Sequence, residues 1–407
     1  MPVDQQLPGA SLLFDLPRMR KYVQTSFARP GQLSQLQVRY FEYVPGQSLR
    51  VQYRAEIGTY RYDLSAQLGF PEPDRQTLTL CSKLPKERSL ARLPITKIFA
   101  EGNPCITWFP VDLGLPMLLR TDVEMADLLG MDSAGPTTRL GWKPGQRAAL
   151  RFPEAFVKVY RDPAKALAAS NALKVVGAHV PTAHHLHRNA EEGLVAQQLL
   201  NGSSILRNQS LDTVDEAAGF LAGLHDVAVQ TADPNRTTPV HDPSAMLSAL
   251  GEPIKMVQLV LPHLSDRLDT LVGNLEKDAP TPGATVLSHG DFHVGQFFRT
   301  HAGPKGQPKS ELYVVDFDKL CLAGPALDVA NYASTLMTGQ PSDYDEMMTV
   351  SNRFCEVYPT KIDALPWYLA AGITRRIDRP VRRLEGDWSA QTETMLASAE
   401  RCLVALR

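Results

Sequence analysis

Cysteine is scarce in this chain: five in 407 residues (Cys81, Cys105, Cys321, Cys355 and Cys402), far apart and with no CxxC pair. An odd, dispersed set makes neither a disulfide framework nor a four-cysteine zinc site, so buried thiols in a reducing cytoplasm are expected. Long apolar runs are also missing, and no window approaches the roughly 20 apolar residues a membrane helix needs. The opening MPVDQQLPGASLLFDLPRMRK lacks the basic stretch, apolar core and small-residue cleavage site of a secretory signal. Charge of one sign is lacking too: 42 basic side chains against 44 acidic ones leave a net charge of -2. Neither nucleic acid nor a membrane surface is therefore expected as a partner.

What is present is ordinary for a folded protein, with 43% hydrophobic and 21% charged residues. The length suits two or three domains. Up to about residue 110, runs such as LQVRYFEYVPGQSLRVQYRAEI alternate and carry turn residues, which predicts strands. YVPGQSLRVQY (43–53) lines up with WKPGQRAALRF (142–152). Two hairpins sharing a Pro-Gly turn, or a true duplication, would each give that pattern. TRLGWK, RAALRF and AFVKVY then predict three successive strands, and Asp162 followed by Pro163 starts a helix that should end at Gly177. GLVAQQLL reads as a further strand. Beyond residue 205 helical periodicity dominates, with Ser210 as a candidate cap and Val257, Leu261, Leu264, Leu268 and Leu271 as one apolar stripe. The expected organisation is a β-rich cap over 1–125, a small lobe over 126–202 and a helical lobe over 203–407.

Between two apolar runs stands HGDFHVGQ (289–296), followed further on by VVDFD (314–318). The first supplies an acid, Asp291, and an amide oxygen, Gln296; the second supplies Asp316 at the end of a strand. Phosphoryl transfer needs a carboxylate to receive the proton of the attacking hydroxyl and hard oxygen ligands for Mg²⁺. Lys158, flanked by apolar residues in AFVKVY, is costly to bury unless its ammonium reaches an anion such as a phosphate. The bland alternative is a lysine on an edge strand pointing to water.

The order of these parts resembles the aminoglycoside phosphotransferase and choline kinase group of small-molecule kinases, over roughly residues 138–335. The residues that carry it are FVKVY, GLVAQQLLNGSSIL, LAGLH, HGDFHVGQ and VVDFDKLCLAGPALDVANYAS. HGDxHxGQ is similar to the maltokinase branch, whose members carry an extra N-terminal cap. The resemblance implies an α+β, bilobal, protein-kinase-like fold that moves the γ-phosphate of ATP, with Mg²⁺, to a small-molecule hydroxyl, a sugar being the first choice. It implies Asp291 as catalytic base and His293 near the moving phosphate. Asp316 and Gln296 would be the metal ligands, Gln296 standing where the group has Asn. Lys158 would meet the phosphates, and Gln197, Gln198 and Leu199 would form the hinge against adenine. His289 and Asp328 would brace the loop.

Two parts of the protein-kinase pattern are absent. Residues 163–177 hold no acid to pair with Lys158, which leaves Glu154 or a carboxylate of the N-terminal segment for that task. The PGQRAAL turn is not a GxGxxG loop, although Gly145 and its neighbours could still cover the phosphates. An antibiotic-modifying kinase and a nucleotide-binding pseudokinase with a regulatory role are the alternatives. His184, His185 and His187 follow VPTA without completing a metal set and are expected at the surface. The arginines of ITRRIDRPVRR (373–383) are expected on a solvated face, and would disfavour a polycationic acceptor if they lined its cleft.

Overall fold

The computed structural model describes residues 4–27, 32–69, 96–98, 105–132, 135–205, 211–228, 238–300, 311–339, 343–359, 361–384 and 386–405. They form two compact units, one of Met1–Leu167, Leu186–Gln197 and Arg382–Leu384, the other of Ala168–His185, Gln198–Val381 and Glu385–Arg407.

In the first unit, α1 (Leu16–Phe27) precedes β1 (Leu33–Val44), β2 (Ser48–Ile57), β3 (Tyr60–Leu68), β4 (Thr96–Ile98) and β5 (Cys105–Trp108). The sheet order is β1-β2-β3-β5-β4. Then come α2 (Asp122–Leu129), β6 (Thr138–Lys143), β7 (Arg147–Arg151), β8 (Ala155–Tyr160), α3 (Pro163–Val176), which passes into the second unit at Ala168, β9 (His185–Asn189) and β10 (Leu194–Gln198). Their sheet runs β6-β7-β8-β10-β9, the same order again. The strands expected from 138 to 160 and the helix from Pro163 lie where the sequence put them. The start of the chain does not follow the strand expectation: Met19 and Val23 repeat at a helical spacing and are fully buried. The expected boundary at residue 125 falls inside α2, whose Met125, Ala126 and Leu129 pack with Leu150, Val157 and Leu194 of the second sheet.

The likeness of the two sheets extends to individual hydrogen bonds. Each begins with a hairpin closed by Pro-Gly-Gln, and Gly46 (φ 69°) and Gly145 (φ 65°) adopt the left-handed backbone that favours glycine. The Gln47 amide donates to the Val44 carbonyl at 3.0 Å, and the Gln146 amide to that of Lys143 at 3.0 Å. The Gly46 amide donates to Asp4 Oδ2 at 2.8 Å, and the Gly145 amide to Asp112 Oδ2 at 2.7 Å. An aromatic joins each aspartate: Tyr43 Oη donates to Asp4 Oδ2 at 2.6 Å and Trp142 Nε1 to Asp112 Oδ2 at 2.8 Å. The sequence mirrors this, with PVDQQLP at 2–8 and PVDLGLP at 110–116. Of the two explanations for the repeated PGQ, duplication is the one these bonds support.

The copies differ where chemistry is expected. Lys158 on β8 lies opposite Ala149 of β7, whereas the matching pair in the first copy is Gln67 opposite Arg50. The first copy thus holds a neutral amide where the second holds a cation. Arg50 bonds Glu42 Oε2 at 3.0 Å, and Glu42 also meets Gln146 Nε2 at 2.8 Å and Lys143 Nζ at 3.3 Å. A Cβ on Gly145 would come within 2.4 Å of the Arg50 guanidinium, so glycine there also admits the cap's arginine.

The second unit is mainly helical. It contains β11 (Gly202–Ser204), α4 (Leu211–His225), β12 (Val240–His241), α5 (Pro243–Ser248), α6 (Gly251–Val260), α7 (Ser265–Lys277) and β13 (Val286–Ser288). These are followed by β14 (Phe297–Thr300), β15 (Leu312–Val314), β16 (Cys321–Ala323) and α8 (Ala326–Leu336). The chain then continues through α9 (Tyr344–Val357), α10 (Leu365–Thr374), α11 (Arg379–Arg383) and α12 (Trp388–Val404). The predicted apolar stripe is buried along its whole length, from Val257 to Leu271, but is shared between α6 and α7 because Pro262 interrupts the helix. Ser210 lies outside the described residues. Two three-stranded sheets, β11-β14-β15 and β12-β16-β13, flank the polar motifs: HGDFHVGQ joins β13 to β14 and DFDK joins β15 to β16.

Candidate active site

The loop after β13 is held from two sides. Asp328 on α8 is fully buried and accepts the amides of His289 (2.7 Å) and Gly290 (2.9 Å), while Asn331 Nδ2 donates to the Gly290 carbonyl at 3.1 Å. Gly290 has φ 76° and lies so close to the Lys319 carbonyl that a Cβ would approach it to 2.1 Å, so only glycine fits. On the other side His289 Nε2 donates to the Val315 carbonyl at 3.1 Å, and its ring lies 4.5 Å from that of Phe317. The motif's histidine and the later aspartate are thus braces.

Asp291 is what the braces present. Its Oδ2 accepts from Lys319 Nζ at 2.8 Å; its Oδ1 is buried with no hydrogen-bond partner among the described residues, the Arg376 guanidinium standing 3.8 Å away. Burial opposes ionisation, but Lys319 and Arg376 outweigh it and hold the carboxyl well below the usual carboxylate range. A carboxylate held ionised at neutral pH with one oxygen free of hydrogen bonds can accept a proton from a hydroxyl brought against it.

Asp316 has φ 69°, a strained left-handed backbone for a residue other than glycine, and such strain gathers where a side chain must be aimed. The Val315 amide donates to the Gln296 carbonyl at 2.9 Å, and Gln296 Nε2 reaches Asp316 Oδ2 at 3.3 Å. Gln296 and Asp316, from separate motifs, are therefore in hydrogen-bond contact. A carboxylate and an amide are donor types that suit Mg²⁺, which keeps several waters and takes its other ligands from phosphates, but here the amide turns its nitrogen to Asp316, so its oxygen would meet an ion only with the amide turned over. His293 is next to them: Nδ1 accepts the Gly295 amide at 3.0 Å and Nε2 lies 3.4 Å from Gln296 Nε2. Burial, opposed by Asp291 but reinforced by Arg376 and Arg379, brings its imidazole down to about 4. The ring is therefore neutral near pH 7 in this arrangement.

In the first unit Lys158 is buried in the central strand of its sheet, which rules out the water-facing edge position. Glu154 lies exposed in the turn between β7 and β8. The Gly145 amide is taken by Asp112 and the Gln146 amide by Lys143, so neither is available to a phosphate in this arrangement. At the expected hinge, Gln197 is buried on β10 with Oε1 lacking a hydrogen-bond partner among the described residues. The Gln198 amide donates to the His184 carbonyl at 2.8 Å, and Leu199 follows directly after β10. His184 and His187 are exposed, and His185 Nε2 lies 2.9 Å from Ser170 Oγ.

Two site cations escaped the sequence reading. Lys319 was in plain view as the fourth residue of DFDK, and Arg376 was hidden in ITRRIDRPVRR, which periodicity assigned to solvent. Arg376 is 1% exposed instead, bonded to Asn331 Oδ1 at 3.0 Å and Ser334 Oγ at 3.2 Å, and Arg375 donates to the same Asn331 Oδ1 at 2.6 Å. The signal was two adjacent arginines after the largely apolar helix LPWYLAAGIT.

The order of these parts, a lysine on a buried strand, then HGD, then DFD, is that of a phosphoryl transferase, and the family comparison gives the class. Residues 129–359 match the model of the phosphotransferase enzyme family, and the chain belongs to that family, whose members are small-molecule kinases that phosphorylate hydroxyl groups using ATP. No curated protein matches. Among solved structures, the GDP complex of an aminoglycoside 2'-phosphotransferase-IIIa mutant is similar at 14% identity and TM-score 0.50, over 69% of this chain and 96% of that one. A choline/ethanolamine kinase family protein from Mesorhizobium loti matches at 13% identity and TM-score 0.47, over 67% and 89%. An amicoumacin kinase bound to AMP-PNP, Ca²⁺ and its antibiotic matches at 13% and 0.48, over 69% and 92%. The first of these likenesses bears on the fold.

Proposed function

We propose that the chain transfers the γ-phosphate of ATP to a hydroxyl of a small molecule, with Asp291 as the base. The observation that carries this is the Asp291 carboxylate, kept ionised by Lys319 and Arg376 with Oδ1 left unclaimed. The acceptor hydroxyl gives its proton to that oxygen while its own oxygen bonds to the γ-phosphorus. The bond from that phosphorus to the bridging oxygen breaks, and ADP leaves. Asp316 and Gln296 would hold Mg²⁺, which when bound neutralises charge on the phosphates. Lys158 would meet the phosphates, and Gln197 to Leu199 the adenine. His293 is assigned to holding the Gly295 turn through its Nδ1.

The first choice of a sugar acceptor draws no support from the relatives, whose names speak of antibiotics, choline and ethanolamine. The antibiotic alternative rests on those names alone. Among the described residues no helix is long and apolar enough to cross a membrane. Labelled ATP offered with a broad acceptor panel tests the reading. Transfer that disappears in Asp291→Asn while ATP still binds supports it; undiminished transfer removes Asp291 from the role, and nucleotide binding without transfer to any acceptor leaves the regulatory pseudokinase.

A further inference from the structure

The arginine run expected to face solvent is turned against the catalytic loop, and this bears on what the loop accepts. Three cations stand around Asp291. Lys319 Nζ is 2.8 Å from its Oδ2 and Arg376 Nη2 is 3.8 Å from its Oδ1, while Arg375 is anchored beside Arg376 on the same Asn331 oxygen. They differ in freedom. Arg376 is enclosed and bonded to Ser334, Gly372 and Asn331, whereas the Lys319 side chain is 54% exposed and Arg375 is partly exposed. Arg376 therefore serves the carboxylate, and Lys319 and Arg375 can still be reached by a ligand.

His241 on β12, paired in its strand with Ala323 of β16, feels the charges of the same cations. Its Nδ1 is buried with no hydrogen-bond partner among the described residues, and Arg375 and Lys319 are the cations that act on its ring most strongly. A buried polar nitrogen without a partner can take one from a ligand or an ordered water. The neighbouring carboxylates are otherwise engaged: Asp328 is bound to two loop amides, and Asp242 accepts the Ala245 amide at 2.9 Å and the Ser244 hydroxyl at 2.7 Å. An acceptor bearing ammonium groups would meet cations here.

We propose that the acceptor carries an anionic group, a carboxylate or a phosphate, near the hydroxyl that is phosphorylated, and that Arg375 and Lys319 hold that group beside Asp291 with His241 alongside. The proposal rests on the kinase reading and adds the acceptor's charge to it. Arginine suits the task because its fork matches a carboxylate or phosphate face. The competing use of these cations is to bind the transferred phosphoryl group alone, which would leave the acceptor free to be neutral.

The test uses the full chain. ATP binding and slow ATP hydrolysis without acceptor are measured first, because their absence removes the kinase reading and this inference with it. Labelled ATP is then offered with glycerate and glucose 6-phosphate, with glycerol, glucose and maltose, and with choline and kanamycin. Turnover confined to anionic members is expected, the carboxylate and phosphate arms telling the two groups apart. In Arg375→Gln the KM for the anionic acceptor should rise at least about tenfold, as for the loss of one charge-assisted hydrogen bond. The Kd for ATP should not change, and Arg375→Lys should recover part of the loss. Preferred turnover of neutral or cationic acceptors by an enzyme that binds ATP overturns the proposal and leaves the kinase reading intact. So does an Arg375→Gln variant that weakens ATP binding and leaves acceptor KM unchanged. If Arg375→Gln does not fold, the wild-type panel decides alone.

Discussion

The two oxygens of Asp291 have different neighbours, and its titration follows from that. Lys319 and Arg376 hold the carboxyl ionised well below the usual range, so the base is lost only at strongly acid pH. Since a carboxylate normally titrates near ~4, the acid limb of kcat/KM should lie below that value. In Lys319→Ala one stabilising charge is gone, the Asp291 pKa rises, and the limb should move to higher pH, as a pH-rate profile at saturating Mg²⁺ would show. Asp291→Asn keeps the shape but cannot take a proton; kcat should fall by roughly 10²–10⁴-fold while the Kd for ATP, measured by calorimetry, stays put. Asp316→Ala should instead abolish Mg²⁺-dependent strengthening of ATP binding, and nucleotide affinity that still responds to Mg²⁺ would remove Asp316 from that role.

At the scale of elements, the PGQ turn of the second copy is fixed by a residue thirty-three positions earlier, Asp112. Asp112→Ala leaves the Gly145 amide and the Trp142 indole N–H without their acceptor, and stability should drop by about 1–3 kcal/mol in urea unfolding. Asp112→Asn retains one acceptor oxygen and should lose less. This bond also shows where the sequence was legible. The strands around Lys158 and the helix from Pro163 could be read because alternation, turn residues and a helix start agreed locally. HGD and DFD could be read because their spacing is itself a chemical pattern. The grip of Asp112 could not, since nothing in PVDLGLP announces a distant partner until the fold brings them together, although comparison with PVDQQLP would have disclosed the repeat. The burial of Arg376 and the anchoring of Arg375 were illegible for the opposite reason: local composition said solvent, and tertiary hydrogen bonds to Asn331 prevailed.

Over the whole molecule, the family match begins at residue 129, yet the compact unit that holds Lys158 begins at the N-terminus. The first copy has Gln67 where the second has Lys158, and its Arg50 and Glu42 are bonded around the second copy's turn through Lys143 and Gln146. A sheet without the lysine but with its polar groups on the neighbouring hairpin acts as a support for that hairpin. Two truncations separate this support from the grip of Asp112. A chain starting at residue 110 keeps Asp112 and loses Arg50 and Glu42; one starting at residue 120 loses all three. The first should melt at a lower temperature than the full chain and bind ATP more weakly, because Lys143 and Gln146 lose their carboxylate. The second should be worse in both respects, since the Gly145 amide then has no acceptor and the α2 face loses Leu115, Met117 and Leu118 from its core. Thermal unfolding and ATP calorimetry on the three chains give the comparison. Equal ATP affinity in the full chain and the 110 truncation would mean that the first copy stabilises the fold without shaping the nucleotide site.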